Sequence, residues 1–295
     1  MSKTIHKILH FSDIHLGFNI KKLRPHTILN KRAIGITNLI CGRAKCFNEA
    51  EAKIEALIRF REKHDIDIVL NSGDYTALGL EHEIKLAREM VAPLMKPLDR
   101  YITVPGNHDI YVLEASSHYR FSAHFCTVLH SDMPQYCQMG HWPLIRLIDE
   151  DIAIIALNSA KPNPYPWRSD GHIPTIQLNA LKEILQDEKI KDRFIFIITH
   201  YAPRLANKEP DTHLHGLHNA DELLEICKDI KNGAIVFGHI HHTYRVKLDN
   251  LKAELFCAGS ATMDKREGAW FYELRDDKSL IAHKLKWNGI EFVIE

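Results

Sequence analysis

The tripeptide Asn107-His108-Asp109 presents an amide, an imidazole and a carboxylate directly after an apolar run at 101–104 and the turn Pro105-Gly106. One such tripeptide is weak evidence, but four other apolar runs of this chain also end in aspartate or histidine. Those residues are Asp13 and His15, Asp74, His200, and His239 with His241. Because open α/β sheets place their chemistry beyond the carboxyl ends of the strands, we expect these side chains to form one site on one edge of a sheet.

These residue types predict a metal site. Apart from His108 and Asp109, the set contains two aspartates, one asparagine and four histidines, and no cysteine. Oxygen and imidazole ligands without thiolate suit Mn, Fe or Zn rather than a structural cysteine site. Seven ligands are too many for one ion but suit two ions that share a carboxylate, at a separation of roughly 3.5–4 Å. Such pairs of ions serve in-line displacement at phosphorus.

Five sequence blocks occur in order along about three quarters of the chain: Asp13-x-His15, Gly73-Asp74, Gly106-Asn107-His108-Asp109, His200 and Gly238-His239-x-His241. Together they resemble the blocks of the calcineurin-like metallophosphoesterase family, in particular its bacterial phosphodiesterases. The resemblance implies an α/β fold, a four-layered αββα sandwich in which two mixed β-sheets are flanked by helices.

The resemblance also implies a role for each residue. One ion would be held by Asp13, His15, Asp74 and His241, and the second by Asp74, Asn107, His200 and His239. His108 would be the general acid, because an ordinary pKa near 6.5 suits proton donation to a leaving oxygen. Asp109 would either orient the His108 imidazole or cap the helix that follows.

Departures from some branches of the family narrow the expected substrate. Gly73-Asp74 is not followed by the Val-Asp-Arg-Gly of protein Ser/Thr phosphatases, and Ala77 stands where purple acid phosphatases have a metal-binding tyrosine. We therefore expect in-line attack of a metal-bridging hydroxide on a cyclic nucleotide or another small phosphodiester. The alternative is a pyrophosphate hydrolase acting on a UDP-linked lipid of the UDP-2,3-diacylglucosamine type. A third possibility is a metal-free scaffold protein.

Composition excludes several other classes of protein. Lys plus Arg equals Asp plus Glu at 38 each, so no global charge favours binding of nucleic acid. The six cysteines form no Cys-x-x-Cys pair, which is typical of reduced thiols. The start at 1–3 leads directly into an expected strand, without the charged and apolar regions of a signal peptide. No apolar run approaches the roughly 20 residues that a spanning helix needs. These features favour a cytoplasmic enzyme acting on a small phosphoester.

The segment at about 20–47 is a basic amphipathic insertion that allows two interpretations. Between 14 and 48 there is no acidic residue, and apolar residues recur at nearly helical spacing at Ile28, Leu29, Ala33, Ile36, Leu39 and Ile40. The segment is either a surface helix that packs on the core, or a flank of the site that meets a phosphorylated substrate or a lipid headgroup. Its basic residues are Lys21, Lys22, Arg24, Lys31, Arg32, Arg43 and Lys45.

The remaining periodicity predicts one domain spanning 1–295. Helices are expected at 49–64, 81–95, 111–125, 175–190 and 219–230. Strands are expected at 7–12, 66–70, 101–104, 145–148, 152–157, 194–199 and 234–237, and a β-meander at 243–248, 253–258, 269–275, 280–286 and 290–294. The proline-rich loop at 161–174 either shapes substrate access or is a rigid connector. Three further histidines, His213, His215 and His218, are solvated residues of a polar loop or additional ligands.

Overall fold

The computed structural model describes residues 2–17, 19–23, 30–163 and 165–295. Its strands are β1 (Thr4–Phe11), β2 (Ile68–Asn71), β3 (Tyr101–Thr103), β4 (Leu144–Ile148), β5 (Ile152–Ala156), β6 (Phe194–Ile198), β7 (Gly233–Phe237), β8 (Thr243–Val246), β9 (Glu254–Ala258), β10 (Gly268–Arg275), β11 (Leu280–Trp287) and β12 (Phe292–Ile294). The α-helices are α1 (Arg32–Ile40), α2 (Ala50–Lys63), α3 (Glu81–Met90), α4 (Ala115–Phe125), α5 (Thr175–Ile184) and α6 (Ala220–Ile226).

The strands form two mixed sheets of six strands each. The first has the order β12-β11-β10-β1-β2-β3, and the second β4-β5-β6-β7-β9-β8. In the first sheet β1, β2 and β3 are parallel, whereas β10 to β12 are antiparallel. In the second sheet β5, β6, β7 and β9 are parallel, with β4 and β8 antiparallel at the edges. The αββα sandwich predicted from the sequence is confirmed.

Side-chain alternation along the central strands shows how the layers are packed. Ile154 and Phe196 belong to one continuous core that also contains residues of the first sheet and of α2, α3 and α4. Their neighbours Ile155 and Ile197 lie in a separate core, against α5 and α6. Successive side chains of a strand point to opposite faces, so both faces of this sheet are buried. This explains why β5 and β6 are apolar without interruption.

Several elements differ from the sequence-based expectation. The five C-terminal strands do not form one meander: β8 and β9 complete the second sheet, and β10 to β12 return to the first. Helix α3 ends at Met90, and a 3₁₀ turn containing Pro93 follows it, because proline cannot donate the backbone hydrogen bond that a helix needs. Tyr111 precedes α4 rather than belonging to it. Helices α5 and α6 are also shorter than expected.

The basic segment folds into α1 and a 3₁₀ turn at Arg43–Phe47. Ile36 and Leu39 pack in a small apolar cluster with Leu78 and Tyr111, whereas Ile40 is 57% exposed. The prediction that the apolar face of this segment packs on the core is therefore correct for Ile36 and Leu39. The predicted contributions of Arg24, Ile28 and Leu29 lie outside the described residues.

Two expectations from composition can be compared with the structure. All six cysteines are unpaired. Among the described residues, no helix combines the length and apolar character needed to cross a bilayer.

Candidate metal centre

Five strand ends meet where the two sheets join. Asp13 and His15 follow β1, Asp74 follows β2 and Asn107 follows β3, all in the first sheet. His200 follows β6, and His239 and His241 follow β7, in the second sheet. The expectation of one edge of one sheet was wrong, because the site forms between the carboxyl ends of strands from both sheets.

The backbone at these strand ends turns sharply. Asp13, His15 and Asp74 have φ values of 53°, 41° and 59°, and His239 and His241 have 69° and 55°. The backbone is therefore not extended at Asp13 and His15. Left-handed conformations are uncommon for residues other than glycine and cost of order 1–3 kcal/mol each where the surrounding structure enforces them. Five of the seven predicted ligands adopt one, which concentrates backbone strain at this site.

Two glycines let the ligand loops approach one another closely. A Cβ atom at Gly106 would overlap the Asp74 carboxylate, and one at Gly238 would overlap the Asp13 carboxylate. This requirement explains the glycine before Asn107 and the glycine before His239.

A first group of ligand atoms comes from Asp13, His15, Asp74 and His241. These side chains each offer one atom, and the four atoms lie within 4.8 Å of one another. His241 Nε2 is 3.1 Å from both Asp13 Oδ1 and His15 Nε2. His15 Nε2 is 3.8 Å from Asp74 Oδ2. These residues can hold one metal ion.

A second group comes from Asn107, His200 and His239. Asn107 Oδ1 lies 3.0 Å from His200 Nε2 and 3.0 Å from His239 Nδ1. Asp74 connects the two groups, since its Oδ2 is 3.5 Å from His200 Nε2 and 3.8 Å from His15 Nε2. The structure thus brings all seven predicted ligands together, with one carboxylate oxygen between the two groups.

The orientation of the imidazoles suits metal binding. His15 Nδ1 is 3.0 Å from the Thr76 carbonyl, and His200 Nδ1 is 2.7 Å from the Ser72 carbonyl. His239 Nε2 lies 3.0 Å from the His215 carbonyl. An imidazole that donates one N–H to a carbonyl presents a lone pair on its other nitrogen. The three free nitrogens face other electron-pair donors, and a cation would turn this repulsive arrangement into a favourable one.

The spacing within each group also fits an ion. Ligand atoms bound at about 2.1 Å lie about 3.0–3.4 Å apart in octahedral or tetrahedral geometry. The observed separations of 3.0, 3.1 and 3.5 Å are close to this range.

Each carboxylate has one oxygen fixed by a backbone amide and one free for the centre. Asp74 Oδ1 accepts the His108 N–H at 2.7 Å, and Asp13 Oδ2 accepts the His239 N–H at 2.9 Å. Burial, with Asp13 and Asp109 nearby, holds the pKa of Asp74 well above its usual range. Burial acts the same way on Asp13, but His241, His200 and Ser12 bring its pKa below the usual value. Two carboxylates are thus crowded together in the interior, and cations would stabilise both as anions.

His108 lies beside the first group and faces a cleft. Its ring is 4.7 Å from the His15 ring, and its Nδ1 is 2.6 Å from the Ala77 carbonyl, which leaves Nε2 as the second ring nitrogen. Burial, followed by the charge of Arg43, lowers the pKa of His108 well below its usual value. The imidazole therefore departs from the ordinary pKa near 6.5 on which its role as general acid was predicted.

Asp109 has a different role from either one expected. Its carboxylate accepts backbone N–H groups of Asp74 (3.0 Å), Tyr75 (3.0 Å), Thr76 (3.1 Å) and Gly106 (2.9 Å). Since Ala77 positions the His108 ring and α4 begins only at Ala115, Asp109 neither orients His108 nor caps that helix. It joins the loop that carries Asp74 to the loop that carries Asn107.

A buried glutamate supports the same loop. Glu83 Oε2 accepts the N–H groups of Leu78 (2.9 Å) and Leu80 (3.1 Å), next to Ala77. Burial raises the pKa of Glu83 from 4.5 to about 7. Because this folded-state value exceeds the unfolded one, folding takes up a proton. The stabilising contribution is complete below the unfolded pKa and is lost as pH rises through about 7.

We therefore expect Glu83→Gln, which keeps an oxygen acceptor, to weaken this pH dependence. Between about pH 4.5 and pH 8, the free energy of unfolding of the unsubstituted protein should fall relative to that of the variant by up to about 3 kcal/mol. Urea unfolding of both metal-free proteins across this range measures the difference. A constant difference across the range would contradict this account of Glu83.

The three loop histidines have separate environments. His215 lies against His239, with ring centroids 4.1 Å apart, and together with Asp211 these residues offer three ligand atoms within 4.8 Å of one another. His213 and His218 stack on each other at 4.2 Å. The His215 carbonyl turns His239 Nδ1 toward Asn107, a contact that no local sequence pattern could have revealed.

A cleft of about 630 Å³ opens onto the centre. It is lined by Asp74, Asn107 and His108, and its basic and aromatic lining includes Lys31, Arg43, Trp167, Arg168 and Arg266. A cavity of about 760 Å³ that also reaches His15 is lined by Glu49, Glu51 and Glu55 together with Lys22, and this excess of acidic side chains is unsuited to a phosphate. The basic cleft is the better candidate for substrate.

Two basic neighbours on the segment at 30–47 differ in function. Lys31 lines the cleft and donates a hydrogen bond to the Arg168 carbonyl at 2.8 Å. Arg32 is 1% exposed and donates hydrogen bonds to Glu114 at 3.0 and 3.1 Å and to the Leu78 carbonyl at 2.9 Å. Arg32 therefore stabilises the fold and is not part of a substrate-binding surface.

The chain is similar to known proteins in sequence motif and in fold. A family model described as calcineurin-like phosphoesterase matches residues 6–243. The fold is similar to that of a dimetal phosphatase from Danio rerio (TM-score 0.65, 12% identity, 99% of each chain covered). It is also similar to purple acid phosphatase PPD1 from yellow lupin (TM-score 0.57, 14% identity, 98% of this chain and 52% of that one). A third similar structure is GAP50, the anchor in the inner membrane complex of Plasmodium (TM-score 0.51, 11% identity, 99% of this chain and 87% of that one). Among curated protein sequences, none matches this chain significantly.

Proposed function

Since this chain belongs to the calcineurin-like phosphoesterase family, we propose that it hydrolyses a small phosphodiester at a centre of two metal ions. The observation that carries the proposal is Asp74 Oδ2, which lies within 3.8 Å of a histidine of each ligand group. Asp13, His15, Asp74 and His241 would hold one ion. Asp74, Asn107, His200 and His239 would hold the other. The nitrogen and oxygen donors support Mn, Fe or Zn.

The ions, when bound, supply Lewis acidity toward a phosphoryl oxygen and lower the pKa of a water molecule. The protein supplies the remaining chemistry. His108 donates a proton to the leaving oxygen from Nε2, because Nδ1 is held by the Ala77 carbonyl. An anionic phosphoester beside the ring raises its proton affinity, which counteracts the effect of burial and Arg43.

A lipid-linked pyrophosphate is a second candidate substrate, supported by exposed apolar side chains near the basic cleft. Trp167 lines the cleft and is 68% exposed, and the ring of Tyr165, which stacks on Trp167, is 52% exposed. Together with the basic side chains of the cleft, they would suit an acyl chain joined to a phosphate group. The six unpaired cysteines support a reducing compartment such as the cytoplasm for either activity.

A scaffold role is the third candidate, since GAP50 shares the fold and is described as an anchor. All seven proposed ligand positions carry donor side chains, and this favours an enzyme over a scaffold. A protein that acts only as a scaffold has no need for seven converging donors or for strained turns at five of them.

Metal removal and a substrate panel test these proposals. We expect chelation to abolish hydrolysis and about two equivalents of Mn, Fe or Zn to restore it. The panel comprises a cyclic nucleotide, a chromogenic monoester, a chromogenic diester and a UDP-linked lipid. Faster hydrolysis of the monoester would contradict the diesterase assignment, and preference for the lipid would favour the second candidate. Substoichiometric metal with no hydrolysis would support the scaffold.

A further inference from the structure

Arg43 is a half-buried cation in the wall of the cleft. It begins the 3₁₀ turn that follows α1, directly after Gly42 with φ of 132°. Its side chain lines the cleft that contains Asp74 and His108. It also lines a recess bounded by His15, His108 and Tyr111. The side chain thus borders the region in which a phosphoryl group would react.

Among the described residues, no carboxylate pairs with the guanidinium of Arg43, unlike those of two other arginines in this region. Arg32 pairs with Glu114 at 3.0 Å, and Arg168 pairs with Asp170 at 2.6 Å. Over the described ranges, Arg43 has no side-chain hydrogen bond or ion pair. A half-buried charge is costly to leave unpaired, so this position suits a partner that arrives with the substrate.

The charge of Arg43 acts on several groups of the site. Burial is the largest cause of the lowered pKa of His108, and the charge of Arg43 is the second. The same charge lowers the pKa of Asp74 relative to the effect of burial alone. It lowers the pKa of Tyr111 in the same way, although burial raises that pKa overall. Independently of these effects, the lining of the cleft and of the recess places Arg43 beside His108.

We propose that Arg43 binds a non-bridging oxygen of the substrate's phosphoryl group, beside His108. A guanidinium presents a planar fork of N–H donors that matches phosphate geometry, and a phosphate would supply the hydrogen-bonded anionic partner that no described residue offers to Arg43. The inference rests on the proposed function. It also makes the basic segment at 30–47 a substrate-binding element rather than a surface for a lipid headgroup.

The test compares Arg43→Ala, Arg43→Lys and the control Lys45→Ala in the full-length, metal-loaded protein. Lys45 is an exposed cation of the same 3₁₀ turn and does not line the cleft. With the diester that the unsubstituted protein hydrolyses best, we expect kcat/KM of Arg43→Ala to fall about 10²–10³-fold. Arg43→Lys should be intermediate, since it keeps the charge but loses the fork. Added guanidinium ion should partly restore Arg43→Ala.

Binding of inorganic phosphate gives a readout that does not depend on turnover. We expect Arg43→Ala to weaken phosphate binding, measured calorimetrically, by about tenfold or more, with unchanged metal content and melting temperature. Lys45→Ala should match the unsubstituted protein. Equal phosphate affinity in Arg43→Ala and the unsubstituted protein would overturn the inference. If the unsubstituted protein hydrolyses no phosphoester, the proposed function fails, while the phosphate titration still decides the role of Arg43.

Discussion

Asp74→Asn is expected to lose at least one metal ion and to reduce hydrolysis by about 10³-fold or more, equivalent to about 4 kcal/mol. Asp74 Oδ1 is already engaged by the His108 amide at 2.7 Å, and Oδ2 lies between the two ligand groups. A carboxamide that keeps the bond to this amide must turn its NH₂ group toward the ions. It thereby replaces an anionic donor with N–H groups that repel a cation.

Metal content and activity must be measured on the same preparations of Asp74→Asn. Asp99→Asn is a suitable control, because Asp99 is exposed and lies in the 3₁₀ turn before β3. Asp99→Asn makes the same chemical change outside the centre and should leave both the metal content and the activity unaltered. Full occupancy by two ions in Asp74→Asn would refute the bridging role.

His108→Ala is expected to keep both metals while kcat falls by about 10²–10⁴-fold. None of the seven proposed ligands is changed, and the backbone N–H of His108 that holds Asp74 remains. The loss should depend on the leaving group. A diester with an alkoxide leaving group needs a proton and should be affected more than one with a nitrophenolate, which leaves readily without one.

Equal losses with both leaving groups would assign His108 to electrostatic stabilisation of the phosphoryl oxygens rather than to proton donation. Unchanged activity would remove the residue from the mechanism. His213→Ala is the matched control, because the His213 ring stacks on His218 and does not line the cleft.

Residue type and order along the chain were sufficient to select the seven proposed ligands, and the family resemblance that these residues carry implied the fold. Each block combines a short apolar strand with a turn and a polar residue, and these features are local in sequence. The strained turns at Asp13, Asp74 and His239 were not predicted, because a φ value near 50–70° at a non-glycine residue depends on contacts with other loops.

The errors have a common cause. Asp109 was expected to orient His108 or to cap the next helix, and the basic segment that includes Arg32 was a candidate for contact with an anionic group. The partners of both residues instead lie on other loops. The role of Asp109 depends on backbone amides more than 30 residues away, since it holds Asp74 and Tyr75 at sequence separations of 35 and 34. Local pattern carries no information on such pairings.

The amino-acid sequence by itself determined which donors are present and which strands deliver them, because strand periodicity and turn chemistry depend on near neighbours. Only the tertiary structure decided how the donors meet. Strands of two different sheets end at one place, backbone carbonyls fix which imidazole nitrogen faces the centre, and none of the described carboxylates pairs with Arg43. These features depend on hydrogen bonds and packing between residues distant in the chain, and they exist only once both sheets have assembled.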